Sequence, residues 1–476
     1  MSLPPVLFTS SLIPATDASP SSKARGKQIR VEKIDQISKF HDDVLLKILS
    51  NLCTEDAIKT SVLSQRWKNV WKRVPCLIFD MKKAPFFRKR AQHELTAEVI
   101  TKVIQDHNGY LECCKIQHFL DQCEDGTLET WIQSLTQVKH TKRLALINIH
   151  RGNRMRGTPS VLQLSPNIFS HPSLICLFLF GYYLESAHAF NNCHNLTTLK
   201  LDKICVEVGV FNTVISSCPS LKVLLLDITW YSQKGSLRIH HKNLKLLGLT
   251  CTHIDGVDVS TPLLDILAIQ CNSVTKSNFL LGAPRLLGFK KSYSLLVESA
   301  RPHIYYNVSS DAQEIKNVLH ELVVSGNTSF RTFEFKTLAV NVDLMNPQEV
   351  YMLKEVCDVW STKMQNLEIF FKHNNIQKEK GESSVGRSQE KKSKERNFFI
   401  ISAGFGVRTV WMYNLSDFNK EEFALASLLV TQRTVTCKLM IETSSIPANK
   451  KLKIEAEVAK LMELPKGNKE LIIKCF

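Results

Sequence analysis

"NLTTLKLDKICVEVGVFNTVISSCPSLKVLLLDITW", residues 195–230, states one phrase twice: Leu196-x-x-Leu199-x-Leu201 and then Leu221-x-x-Leu224-x-Leu226. Apolar residues at alternate positions mark a half-buried strand, whose successive side chains point to opposite faces. The phrase recurs on both sides. Leu174-x-x-Leu177-x-Leu179 precedes it, and Leu244-x-x-Leu247-x-Leu249 and Leu264-x-x-Leu267-x-Ile269 follow. Successive first leucines lie 22, 25, 23 and 20 residues apart. Leu144-x-x-Ile147-x-Ile149 is read as the opening copy and Leu286-x-x-Phe289 as a weak continuation.

One strand per ~20–29 residues is the period of leucine-rich repeats, where each unit buries its leucines only by stacking on its neighbours. The implied body is a curved solenoid of parallel strands over residues 140–371. In each strand the residues between the leucines face the other way. Among them Phe178, Phe180, Leu225, Leu246 and Ile266 are expected to form an apolar strip on the concave side, a candidate surface for a target protein. A tail or connecting loop lying over the strip is the competing expectation. Beyond residue 300 the units lengthen: a helix over 311–324, a strand at Phe335-x-x-Leu338-x-Val340, and a helix opened by Asn346-Pro347-Gln348-Glu349. Leu367-x-x-Phe370 begins a further strand. Residues 372–397, almost all polar or charged, are expected to be a disordered loop. From 398 to 476 the pattern reads strand, helix, strand, helix, strand.

Toward the N-terminus lies a small helical module, residues 31–76. Leu45, Ile48, Leu49 and Leu52 give one apolar stripe on a helix over 42–52, with Asp42 and Asp43 favourably placed at its positive end. Thr54 reads as the N-cap of a second helix. Ile58, Val62, Leu63, Trp67, Val70, Trp71 and Val74 continue an apolar face, bent near Ser64, until Pro75 stops it. So short a module seldom buries enough surface to stand alone. Its surplus apolar area is met by the rest of this chain or by another protein. Residues 77–139 are read as a helical linker to the repeats, and residues 1–30 as a disordered tail.

Residues 34–80, "IDQISKFHDDVLLKILSNLCTEDAIKTSVLSQRWKNVWKRVPCLIFD", resemble the F-box of plant F-box/leucine-rich-repeat proteins. The shared pattern runs Ile-Ser, Asp-Asp, Leu-Leu-x-Ile-Leu-Ser, Thr-x-Asp-Ala, Thr-Ser-Val-Leu-Ser-x-Arg-Trp and a closing Val-Pro. Residues 398–476, including "LPKGNKELII", more loosely resemble the FBD region that ends many such proteins. The resemblance implies a substrate-recognition subunit of an SCF-type cullin–RING ubiquitin ligase. A Skp-type adaptor, and through it cullin, would be held by Phe40, Asp42, Leu45, Leu46, Ile48, Leu49, Leu52, Val62, Leu63, Trp67 and Trp71. The repeats would hold a target protein. One departure stands out: Phe40-His41 replaces the family's Leu-Pro before the acidic pair, losing a residue pre-organised to start a helix.

The fold class that follows is α/β: an N-terminal three-helix F-box, a curved leucine-rich-repeat solenoid and a βαβ-type C-terminal region. The formal net charge of +16 invites an anionic partner. The excess, however, sits largely at 23–30, 66–90 and 372–396, and no nucleic-acid-binding motif accompanies it. Nucleic acid is therefore disfavoured. No apolar run reaches membrane-spanning length, so no membrane partner is expected. The fourteen cysteines hold no C-x-x-C pair and read as reduced thiols, in keeping with nucleus or cytoplasm. His93-Glu94 and His320-Glu321 lack the second histidine of a zinc helix, and Gly404-Phe405-Gly406 lacks a third glycine. No metal, cofactor or catalytic residue is assigned, and a repeat scaffold that joins no ligase is the alternative reading.

Overall fold

The computed structural model describes residues 37–80, 91–118, 126–148, 161–230, 235–252, 254–271, 278–289, 303–308, 336–360, 364–372, 405–416, 418–444 and 446–476. The expected N-terminal tail, the helix over 311–324 and most of the charged loop lie outside them. The N-terminal module holds α1 (Asp42–Leu49), α2 (Thr54–Lys59) and α3 (Trp67–Val70), with short 3-10 turns at Thr60–Val62 and Trp71–Arg73. A long strand-rich body follows.

That body begins sooner than the sequence suggested. β1 (Cys76–Asp80) leaves the module directly, α4 (Ala91–Asp106) leads to β2 (Cys113–His118), and α5 (Thr127–Gln133) leads to β3 (Arg143–Asn148). These strands pair in parallel in that order. Residues 77–139 are therefore not a linker; they contribute the first two strands of the main sheet. Leu144 and Leu146 of β3 lie opposite Leu177 and Leu179 of β4 (Cys176–Phe180). The opening phrase is thus Thr141-x-x-Leu144-x-Leu146, three residues earlier than the 144-147-149 reading. Thr141 fills the place of a leucine because its hydroxyl is satisfied by the Leu135 carbonyl at 2.7 Å.

The body continues with β5 (Tyr183–Leu184), β6 (Thr198–Val206), α6 (Val208–Ser216), β7 (Val223–Trp230), β8 (Ser236–His240), β9 (Leu246–Thr252), β10 (Gly256–Ser260), β11 (Ile266–Cys271) and β12 (Phe279–Gly282). Leu177, Leu199, Leu224, Leu247 and Leu267 pair in unbroken register, as do Leu179, Leu201, Leu226, Leu249 and Ile269. Every one of these is buried. β8, β10 and β12 form a second, three-stranded parallel sheet from the return segments. Its Leu237, Ile239, Val257 and Val259 close the core over the leucines. Cys193 and Cys218 are buried there, and the Cys218 thiol is held far above its usual range by its hydrogen bond with Cys193 and by burial. Cys76 and Cys113 depart from the reduced-thiol expectation. As register partners on parallel strands, Cα atoms 4.7 Å apart, they are joined as a disulfide.

At Leu286-x-x-Phe289 the phrase stops making strands. Pro284–Phe289 is a 3-10 helix, in which residues three apart share a side, and Leu286 and Phe289 are both buried. The next strand of the main sheet, β13 (His303–Asn307), runs antiparallel to β11. After it β14 (Thr337–Val342), α7 (Pro347–Trp360), β15 (Asn366–Phe371), β16 (Val407–Tyr413), α8 (Lys420–Thr431), β17 (Val435–Ile441), α9 (Ala448–Glu463) and β18 (Ile472–Cys475) carry the sheet on, all strands parallel to β13. Asn346 accepts from Gln348 N at the start of α7, with Pro347 as its first residue. Asn419 and Glu422 form a capping box on α8.

The reversal at β13 decides which face is covered. Crossovers between parallel strands are right-handed, so a sheet that advances the same way with its strands reversed carries its crossovers on the opposite face. Two cores result. One lies on the face of Leu177, Leu224 and Leu267. The other gathers Val356 of α7, Leu429 of α8 and Val458 of α9 against Leu338, Ile369, Val410 and Leu439.

Glu368 of β15 lies on the face away from these helices and is only partly exposed. Burial pushes its carboxyl up to about 7, against 4.5 for an ordinary glutamate. Between those values the folded chain holds a proton that the unfolded chain has lost, so stability falls as pH rises from 4.5 toward 7. Glu368→Gln is expected to stabilise the fold by about 1–2 kcal/mol at pH 8 and to change nothing at pH 4. Urea titrations at the two pH values check this; equal effects would contradict it.

Candidate functional site

α1 carries two apolar stripes rather than one. Leu45 and Leu49 point inward and are buried, while Val44 and Ile48, also four apart, stay exposed on the other side, joined by exposed Leu52 just past the helix, which ends at Leu49 rather than at 52. The inward stripe joins Ala57, Trp67, Val70, Trp71 and Val74 in a cluster that runs on into Leu77, Ile104, Leu111 and Cys114 of the repeat body. Backbone bonds rivet the junction: Asn108 N to Lys72 O at 2.6 Å and Glu112 N to Pro75 O at 2.8 Å. His107 adds Nε2 donating to Val74 O at 2.8 Å, and burial pushes its pKa down, keeping the ring neutral.

The long bent helix expected through Ser64 is instead broken. α2 ends at Lys59, where Thr60, Ser61 and Val62, poor helix formers, tighten into a 3-10 turn. Val74 turns extended before Pro75, as a residue preceding proline must. Thr54 is the first helical residue rather than the cap. Its hydroxyl accepts from Ile78 N at 2.6 Å, tying α2 to β1.

Eleven residues were expected to face an adaptor, and the structure divides them. Phe40, Ile48, Leu52, Val62 and Leu63 are exposed, Val62 by 88% and Leu63 by 63%. Leu45, Leu49, Trp67 and Trp71 are buried within the chain, and Leu46 is half-buried against them. Asp42 is an internal clamp. Its Oδ1 accepts from Arg66 Nε at 2.9 Å and Nη2 at 2.6 Å, and its other oxygen from Arg73. The Arg66 and then the Arg73 hydrogen bonds hold its carboxyl below the usual range. Ile37 and Val44 join the exposed set. Val44 shares the four-residue spacing of Ile48 and Leu52, and that spacing is the signal in the sequence that places it beside them.

His41 caps α1 with φ −61° and ψ 152°, and its side chain makes no capping bond. That φ is the angle proline prefers. His41→Pro is therefore expected to stabilise the module by about 0.4–1 kcal/mol through the unfolded chain. Thermal denaturation checks it; destabilisation would mean that proline strains the entry.

The proposed target strip does not survive as an open surface. Leu225, Leu246 and Ile266 are buried, in one cluster with Ile304, Tyr306 and the α7–α9 core. Their face is the one onto which the strand reversal turns the helices. Phe178 and Phe180 remain half-buried, with Lys203 Nζ 5.2 Å above the Phe180 ring. Beside them Asp202 and Asp227 are register partners, and burial raises the Asp227 carboxyl. His240 pairs with Asp258 at 2.9 Å and His241 donates to the Cys218 carbonyl at 3.1 Å, so the two rings serve separate structural bonds. Among the described residues no three metal-binding side chains cluster, and no helix is long and apolar enough to cross a membrane.

Two family models match separate stretches of the chain. Residues 37–79 match the F-box domain model, and residues 128–286 match the model of the leucine-rich repeats of FBD-associated F-box protein At5g56370. The chain is 50% identical over 467 residues to the F-box protein At1g67390 of Arabidopsis thaliana, covering 97% of this chain and 96% of that one. It is 42% identical over 484 residues to F-box protein At3g60790 of the same plant, covering 100% and 96%. F-box protein At1g80960, also from Arabidopsis thaliana, is 42% identical over 457 residues, covering 94% and 91%. A module whose inner stripe is welded to a repeat sheet, matched over nearly its whole length by such relatives, places this chain among the plant F-box proteins with FBD-associated leucine-rich repeats.

Proposed function

We propose that the chain is the substrate-recognition subunit of an SCF-type cullin–RING ubiquitin ligase, working in the nucleus or cytoplasm. The observation that carries this reading is the outward face of the F-box. Phe40, Val44, Ile48, Leu52, Val62 and Leu63 are exposed apolar residues that, among the described residues, lie outside the buried core. Exposed apolar area of this kind marks an interaction site, here for a Skp-type adaptor. The repeats, read as turns of a curved solenoid, would hold a target protein. Because the F-box core is continuous with that of the first repeats, a bound target would be held at a fixed distance from the charged ubiquitin carrier. The subunit's contribution to rate is then proximity, with no catalytic group of its own.

The test is affinity purification with mass spectrometry on the full chain and on Val62→Asp with Leu63→Asp. Deleting the module would bare Leu77 and Leu111, so the surface variant is the cleaner control. Skp-type and cullin subunits should accompany the first and be missing from the second. A scaffold outside any ligase is the second reading, favoured by the uncapped His41 entry to α1; target capture with neither subunit present would select it.

A further inference from the structure

Beyond β13 the helices cover one face of the sheet. The other face of β15 and β16 carries a group of side chains that the adaptor and repeat readings leave unused. Glu368 lies opposite Trp411, and Phe370 opposite Tyr413, so the four form a square on adjacent strands. The Phe370 and Tyr413 rings stack at 4.5 Å with 10° between planes, and Trp411 lies 6.5 Å from Tyr413 at 11°. Phe476 stands edge-on to both, 5.0 Å from Trp411 and 5.8 Å from Tyr413. Glu368, Trp411, Tyr413 and Phe476 are all partly open to solvent.

Three polar groups meet there unmatched. Among the described residues, the Glu368 carboxylate, the Trp411 indole N–H and the Tyr413 hydroxyl make no hydrogen bond or ion pair. The two lysines on the same face, Lys438 and Lys474, lie opposite Thr409 and Met440 and make no ion pair with Glu368. A carboxylate set among aromatic rings without a counter-ion is costly, and burial accordingly holds this carboxyl near 7. A cation would complement all of these groups. Flat aromatic faces attract one through their quadrupole, and the carboxylate supplies the opposite charge.

We propose that this face of β15 and β16 binds an arginine or lysine side chain of a partner protein, with Glu368 as counter-ion and the rings of Trp411 and Tyr413 as its platform. Glu368, Trp411 and Tyr413 are each reached by solvent only in part, which suits a single side chain presented by a macromolecule. It concerns the C-terminal strands alone and stands whether or not the F-box joins a ligase.

The experiment uses the full chain and short glycine–serine peptides with a central arginine, lysine or citrulline, followed by ligand-detected NMR. The arginine or lysine peptide is expected to bind at least about fivefold more tightly than citrulline, its neutral analogue. Glu368→Gln and Trp411→Leu should each remove that preference. Equal binding of charged and neutral peptides by the unaltered chain would overturn the proposal without recourse to any variant. So would a preference that persists in folded Glu368→Gln, since the counter-ion would then be elsewhere.

Discussion

Replacing Val62 and Leu63 by aspartate is expected to weaken capture of a Skp-type adaptor by about a hundredfold or more while leaving the fold intact. Both side chains are exposed, and neither contributes to the buried core. Exposed substitutions of this kind usually change stability by only about 0.5 kcal/mol. In a complex the same two side chains would lose their water, a gain of about 1.5–3 kcal/mol each. Aspartate forfeits that gain and adds the cost of desolvating charge. Calorimetric titration with purified adaptor, beside a melting curve, measures both quantities. Leu49→Ala makes the contrast: Leu49 is wholly buried, so truncation should cost about 2–5 kcal/mol of folding stability. Any loss of binding in that variant would be a loss of fold.

Leu246→Asp is expected to destabilise the body by about 4 kcal/mol or more, enough to unfold much of it at 37 °C. The residue has no exposed surface and packs in the cluster shared by Ile266, Tyr306 and Leu338. A carboxylate there would be buried among the largely apolar side chains of that cluster. Had this strip been an open target surface, the same substitution would have been nearly neutral to folding. Urea unfolding decides between the two, and a shift of less than about 1 kcal/mol would contradict the buried assignment.

These two cases show what was legible in the sequence and what was not. The leucine phrase was legible because a fixed period repeats the same physical demand in every unit, and its registers are continuous from Leu177 to Leu267. The first two strands were missed because their phrases are disguised. Val74-x-x-Leu77-x-Phe79 begins within the F-box, and Leu111-x-x-Cys114-x-Ile116 puts cysteine where a leucine is expected. The reversal at β13 could not be read at all. Alternation fixes which residues share a face but carries no direction along the strand, and His303–Asn307 is buried on both sides. The faces of α1 were ambiguous for a related reason. Residues 44, 45, 48, 49 and 52 are all apolar, and only the position of the repeat body makes Leu45 and Leu49 the inner pair. The aromatic square around Glu368 escaped notice because its members lie 43 residues apart in sequence, from Glu368 to Trp411, and meet only through strand register.

As proposed, the outward face of the F-box binds a Skp-type adaptor while its inner stripe packs into the core of the repeat body. Size-exclusion chromatography with light scattering, on the full chain mixed with a purified Skp-type adaptor, tests it most directly. A one-to-one complex with the unaltered chain, absent for Val62→Asp with Leu63→Asp, is the result expected. No complex with the unaltered chain, or an equal complex with the folded variant, would contradict it.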